Sequence, residues 1–171
     1  MKRNKIIALS ICVILTLVLI QLGVASASYP TPQDALKYAK INSSKFKQSL
    51  EIIDDEKFIY ALFITENNKV GAASLDHTMF GWRLDYITGM FDFSSIPKNS
   101  GHTGWSKHGE RLLYGVINDN RIDSILVNNN SAKILNLEND LKLWYTIEPN
   151  NGPYDLIGID RNKNIIHKIN M

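Results

Sequence analysis

The chain has 171 residues, a formal charge of +2 and a single cysteine, which bounds it to about one ordinary domain with a core of its own. Lys2, Arg3 and Lys5 supply three of the 19 basic residues, so beyond them sixteen basic side chains face seventeen acidic ones. No basic stripe remains, which argues against nucleic acid as a partner and against bulk-charge attachment to an anionic surface.

The basic start is followed by an apolar run from Ile6 to Ala25, broken only by Ser10, Thr16 and Gln21. Ala25-Ser26-Ala27 then offers the small residues a signal peptidase accepts. Residues 1–27 therefore read either as a cleaved signal peptide or as a retained N-terminal membrane anchor. The run is longer than the ~7–15 residues of a usual secretory signal. It approaches the ~17–25 residues of a membrane-spanning helix. Both readings leave the remainder outside the cytoplasmic membrane, secreted or anchored, because the basic residues stay inside. Cys12 lies within the run behind Ile11, which is too bulky for a lipid-attachment site. The exported part, about 144 residues from Ser28, thus has no disulfide, which is ordinary for a bacterial exported protein.

Thr31-Pro32-Gln33-Asp34 predicts a helix start, with Thr31 as cap, Pro32 in the first turn and Asp34 at the positive end of the dipole. Ala35, Leu36, Ala39 and Ile41 form its apolar stripe, and Asn42-Ser43-Ser44 ends it. Beyond Ser44 the spacing predicts strands over Phe46–Ile53, Phe58–Thr65, Val70–Leu75 and Phe80–Tyr86. Gly89 to Glu110 is irregular, and Gly101 to Glu110 reads as a polar surface loop with Trp105 packed down as an anchor. Short strands follow over Leu112–Ile117, Ile122–Val127, Ala132–Leu135, Leu141–Ile147, Leu156–Ile159 and Ile165–Ile169. Asn- and Asp-rich turns separate them, which suits a β-sandwich. The expected fold is mostly β, with a short N-terminal helix followed by antiparallel sheets. A helix-plus-β lobe over 28–100 precedes a β lobe over 101–171, or the two form one domain over 28–171.

The segments "FGWRLDYITG", "LLYGVINDNRIDSILVNNNSAKI", "LKLWYTI" and "YDLIGIDRNKNIIHKI", behind an exported leader and "TPQDALKYAK", resemble a group of small exported proteins of low-GC Gram-positive bacteria. The closing segment is also similar to immunoglobulin-like modules, which implies an immunoglobulin-like sandwich for the C-terminal half. Asn164 stands where such hairpins commonly carry glycine. The resemblance implies fold and location and brings no catalytic residues with it.

His102, His108 and Glu110 are weak candidates for a metal site, with His77 or His167 as a further ligand, because a catalytic zinc takes about three protein ligands. Gly101, Gly104 and Gly109 argue for flexible backbone there, which must lose entropy to order a site. Asp76-His77 and His108/Glu110 are possible acid–base pairs, but no nucleophile elbow, zinc-helix or phosphate-loop motif frames them, and no cofactor is implied. Asp160 to Asn164 has oxygen ligands but lacks the spacing of a calcium loop, so it reads as a hairpin turn. Among the aromatic residues, Trp82, Trp105, Trp144 and Tyr145 are the candidate binding residues. Trp144 and Tyr145 are adjacent on one strand and point to opposite sides, so one of them is covered by a neighbouring lobe or exposed.

These features predict an exported, non-catalytic binding or interaction module at the outer face of a bacterial membrane. Its partner is an unknown protein or envelope ligand, with the membrane touched through residues 6–25 if the leader is kept. The alternatives are a small metal-dependent extracellular hydrolase using the His102/His108/Glu110 loop, and an envelope protein that protects the cell against a secreted toxin or host factor.

Overall fold

A computed structural model describes residues 10–20, 23, 28–38, 45–55, 58–88, 90–92, 102–107, 109–137 and 141–170. Residues 10–20 are helical, and every large apolar side chain from Ile11 to Ile20 is exposed, so nothing in the fold covers this face. No helix among the described residues is long and apolar enough to cross a membrane.

Helix α1 (Pro32–Tyr38) starts as its sequence dictates. The Asp34 N–H donates to Thr31 Oγ1 at 3.1 Å, and that hydroxyl donates to Asp34 Oδ2 at 2.7 Å, a reciprocal cap. Ala35 and Leu36 are buried; Ala39 and Ile41 of the predicted stripe lie outside the described residues.

Three antiparallel sheets follow among the described residues. The first is β1 (Phe46–Asp55), β2 (Phe58–Thr65), β3 (Lys69–Thr78) and β4 (Gly81–Ile87) in that order, with the short β5 (Phe91–Asp92) sharing the edge of β3 with β4. The second runs β10 (Lys133–Asn136), β11 (Lys142–Pro149), β7 (Glu110–Ile117), β6 (His102–Lys107). The third runs β13 (Ile165–Asn170), β12 (Asp155–Ile159), β8 (Ser124–Val127), β9 (Asn130–Ser131).

The loop expected between Gly101 and Glu110 is corrected to a hairpin. His102 to Lys107 pair in register with Gly115 to Glu110, and Gly109 turns the chain at φ 86. Glycine-rich composition suggested mobility, but a central strand such as β7 offers a row of free backbone groups on each side, and β6 satisfies one row.

The sheets stack as layers, with α1 on the outer face of the first. Ile59, Ala61 and Phe63 of β2 join Ala73 and Leu75 of β3 beneath α1. The opposite faces of these strands, Tyr60, Leu62, Ile64, Val70 and Ala72, pack on Leu112, Tyr114, Val116, Leu143 and Tyr145 of the second sheet. The other side of that sheet, Leu113, Ile117 and Trp144, packs on Ile125, Val127 and Leu156 of the third. Strands β2, β7 and β11 are covered on both faces, which explains why "FIYALFIT" and "RLLYGVI" read as continuous apolar runs instead of alternating ones. The first and second sheets are also tied by a buried hydrogen bond between Thr88 Oγ1 and Tyr114 Oη. Burial pushes the Tyr114 phenol up to about 12, against partial relief from the Thr88 and Ala72 hydrogen bonds.

Candidate functional site

The feature built like a binding site is a cleft of ≈ 1010 Å³ at the margin between the first and second sheets. Two edge strands form its walls. Among the described residues β1 pairs only with β2, and β10 pairs with β11. Residues Lys47 to Leu50 of β1 line one wall and Ile134 to Asn136 of β10 the other.

An ion pair lies beside one end. Lys133 Nζ donates to Glu51 Oε1 at 3.0 Å, joining the two walls next to the lined stretches. Lys133 also lies 5.7 Å over the Tyr145 ring. These contacts, the Glu51 hydrogen bond first, raise the Lys133 ammonium above its ordinary range. From that pair β1 runs backward and β10 forward along the cleft.

Local structure aims the β1 side chains. Its pairing with β2 slips between Phe46 and Gln48 and again between Ser49 and Glu51. The skipped residues are Lys47 and Leu50, and both line the cleft. A bulge bends an edge strand and redirects a side chain, which is what places an ammonium at the rim and a leucine on the floor.

The floor is aliphatic, with Leu50, Ile64, Leu135, Leu137 and Leu141 continuous with the core beneath. The rim carries Lys47, Gln48, Asn67, Asn68, Asn136 and Asp92. The Asn67–Asn68 turn is held by Thr65, whose Oγ1 accepts from Lys69 N at 3.1 Å and whose carbonyl accepts from Asn68 N at 3.0 Å. Ser49 Oγ is buried with no hydrogen-bond partner among the described residues. No aromatic ring is among the described lining residues. Amide side chains that both donate and accept, above an aliphatic floor, match the alternating polar backbone and apolar side chains of a polypeptide.

The residues singled out by sequence fall elsewhere. Trp144 is fully buried in the core between the second and third sheets, and Tyr145 is buried at 8 % exposure beneath the first. Of the two alternatives for this adjacent pair, cover by the neighbouring lobe is the one found, so neither ring presents a binding face. Trp82 is half-buried on β4, with the exposed His77 ring 4.6 Å away. The Trp105 and His102 side chains and the whole of His108 lie outside the described residues. Glu110 opens β7. His77 belongs to the first sheet and His167 to the third, with the second sheet between them. Among the described residues no group of three or more His, Cys, Asp or Glu side chains could hold a metal ion.

Several of the described acidic side chains are engaged by neighbouring groups. Asp76 faces Arg83 at 3.8 Å. Asp160 uses its carboxylate on the N–H groups of Asn162 and Asn164, both at 2.8 Å, and on Asn164 Nδ2 at 2.9 Å. These donors, Asn164 first, hold the Asp160 carboxyl below its ordinary range. They also fill the oxygens a cation would need. The left-handed residue of this turn is Lys163, φ 66, so Asn164 needs no glycine-like conformation. Glu148 is buried but accepts from Thr146 Oγ1 at 3.3 Å and from Asn130 Nδ2 at 3.4 Å, bracing the second sheet against the third.

Sequence reasoning missed the cleft. Its one local signal is the break in alternation at Lys47-Gln48 inside an apolar strand, and the facing wall comes from a segment some 85 residues later. Comparison with protein-family models, with curated proteins and with solved structures gives no match.

Proposed function

We propose that this protein is an exported, non-catalytic binding module at the outer face of a bacterial membrane, and that the cleft between β1 and β10 receives a segment of a partner polypeptide. The observation that carries the reading is the convergence of two sheet edges on one aliphatic floor with an amide-rich rim. The exposed apolar side chains of the leader helix support export or anchorage, since such a surface favours an apolar environment over water. Membership of the group of small exported Gram-positive proteins belongs to the same reading.

The proposal includes an immunoglobulin-like assignment for residues 102–170. Strands β6, β7, β10 and β11 form one sheet and β8, β9, β12 and β13 the other, the division expected of strands A, B, D, E against C, C′, F, G. Tyr154, just before β12, donates its hydroxyl to the Pro149 carbonyl at 2.7 Å. That is the position and bond of the tyrosine corner of such sandwiches.

A photo-crosslinking residue placed at Gln48 or Leu137, in intact producing cells, tests the cleft against the same residue at Asn162 in the β12–β13 turn. A discrete adduct to a polypeptide at the two cleft positions only is the expected result. Equal adducts at all three positions, or none, overturns the reading.

A further inference from the structure

The turn between β3 and β4 is chemically unlike the Asn- and Asp-rich turns among the described residues. Its tip is Met79-Phe80, and Met79 is 85 % and Phe80 41 % exposed. Other described turns carry Asn67-Asn68, Asn128-Asn129 and Asp160 to Asn164 at the corresponding places. Such polar residues are what an exposed turn in water selects, because they hydrogen-bond their own backbone and tolerate left-handed conformations. Met79 in that position gains almost nothing from the fold, and Phe80 keeps two fifths of its surface uncovered.

The turn is rigid. Thr78 Oγ1 accepts from Phe80 N at 3.2 Å and donates to the Gly81 carbonyl at 2.9 Å. It is also fixed to the chain that leaves the leader. Tyr29 N donates to the Trp82 carbonyl and Trp82 N to the Tyr29 carbonyl, both at 2.7 Å, and the Ser28 and Thr78 hydroxyls are 3.3 Å apart. Gly81 is required there: at φ 118, a Cβ would stand 2.4 Å from the Tyr29 oxygen. Ser28 follows the apolar leader directly, so the leader ends at this turn. Around it sit Trp82, Tyr29 stacked on Tyr38 at 5.4 Å, and Lys37 over the Tyr38 ring at 5.4 Å. Amphipathic aromatic rings and a snorkelling lysine beside an apolar tip are the composition of a membrane–water interface.

We infer that the Met79-Phe80 turn is a second membrane contact, seated in the interface of the phospholipid bilayer that holds the leader, which sets the domain with its β3–β4 end down. This rests on the reading of residues 1–27 as a retained anchor. Insertion is driven by the apolar tip and by its tether to the leader, with no role for a basic patch. The tether matters because it makes the second contact intramolecular, so even a weak tip is engaged at high effective concentration.

The full-length chain is reconstituted into phosphatidylcholine vesicles with plain or acyl-chain-brominated lipid, and tryptophan emission is compared between wild type and Trp82→Phe to isolate the Trp82 share. That share is roughly halved in brominated lipid, since an interfacial ring lies within reach of the quencher. The exposed double variant Met79→Ser/Phe80→Ser restores it while the chain stays with the vesicles through an alkaline wash. Release of the wild-type chain by that wash overturns the anchor and this contact together. Retention with equal Trp82 emission in both lipids, or quenching that survives in the double variant, overturns the contact alone.

Discussion

Tyr114→Phe tests the claim that the first and second sheets are one cooperative unit. The Tyr114 ring is fully buried on β7 facing the first sheet, and its hydroxyl meets that of Thr88, itself buried. Thr88 Oγ1 also accepts from Ala72 N at 3.0 Å, a bond the variant leaves in place while it removes the Tyr114 hydroxyl. Loss of a neutral buried hydrogen bond costs about 0.5–1.5 kcal/mol, and part of a desolvation penalty adds to it, giving about 1–2 kcal/mol. For a chain of this size each kcal/mol corresponds to roughly 2–4 °C in Tm. Urea unfolding followed by circular dichroism measures the loss, and Thr88→Val with the double variant gives a coupling of at least about 0.5 kcal/mol.

The alkaline limb gives a second readout. The phenol ionises at about 12 in the folded chain, above the ordinary 10.0, because burial disfavours its charged form. A raised pKa means the stabilisation is fully present below pH 10 and is lost as pH rises from there through about 12. Its full size is about 2–3 kcal/mol. Tyr114→Phe lacks this limb. Additive single variants, or the same alkaline dependence in wild type and Tyr114→Phe, would refute the reasoning.

Other perturbations are expected to divide by burial. Gly71→Ala places a Cβ 2.8 Å from Phe63 Cζ and 2.9 Å from Met90 Cγ beneath α1. It should cost about 1–3 kcal/mol of overpacking in denaturant titration. Tyr154→Phe removes only the bond to Pro149 and should cost about 1 kcal/mol, with the loss of amide protection confined to the second and third sheets. Lys133→Ala, at an exposed ion pair, should change stability by less than about 1 kcal/mol in urea, and still less at high salt. Asp160→Ala should loosen the β12–β13 turn, seen as faster amide exchange at Asn162 and Asn164. Because the Asp160 carboxyl is held below its ordinary range, wild type should lose that protection as pH falls through the carboxylate range, while Asp160→Ala shows no such pH response.

Period and punctuation in the sequence determine most strands, the capped start of α1 and the β-rich class, because each is a local consequence of side-chain chemistry. Thr31, Pro32 and Asp34 cap a helix wherever it packs, and Asn128-Asn129 turns the chain at φ 49 and 68 because asparagine tolerates that conformation. Strand β6 escaped because its extended state depends on pairing with β7, which glycine-rich local sequence does not report. Trp144 and Tyr145 point apart on any strand, but only the stacking of three sheets decides that both are buried. The cleft likewise belongs to the tertiary structure. Its walls come from β1 and β10, distant in the chain, and what joins them is the burial of Tyr60, Leu62 and Tyr145 in a shared core that no local pattern records.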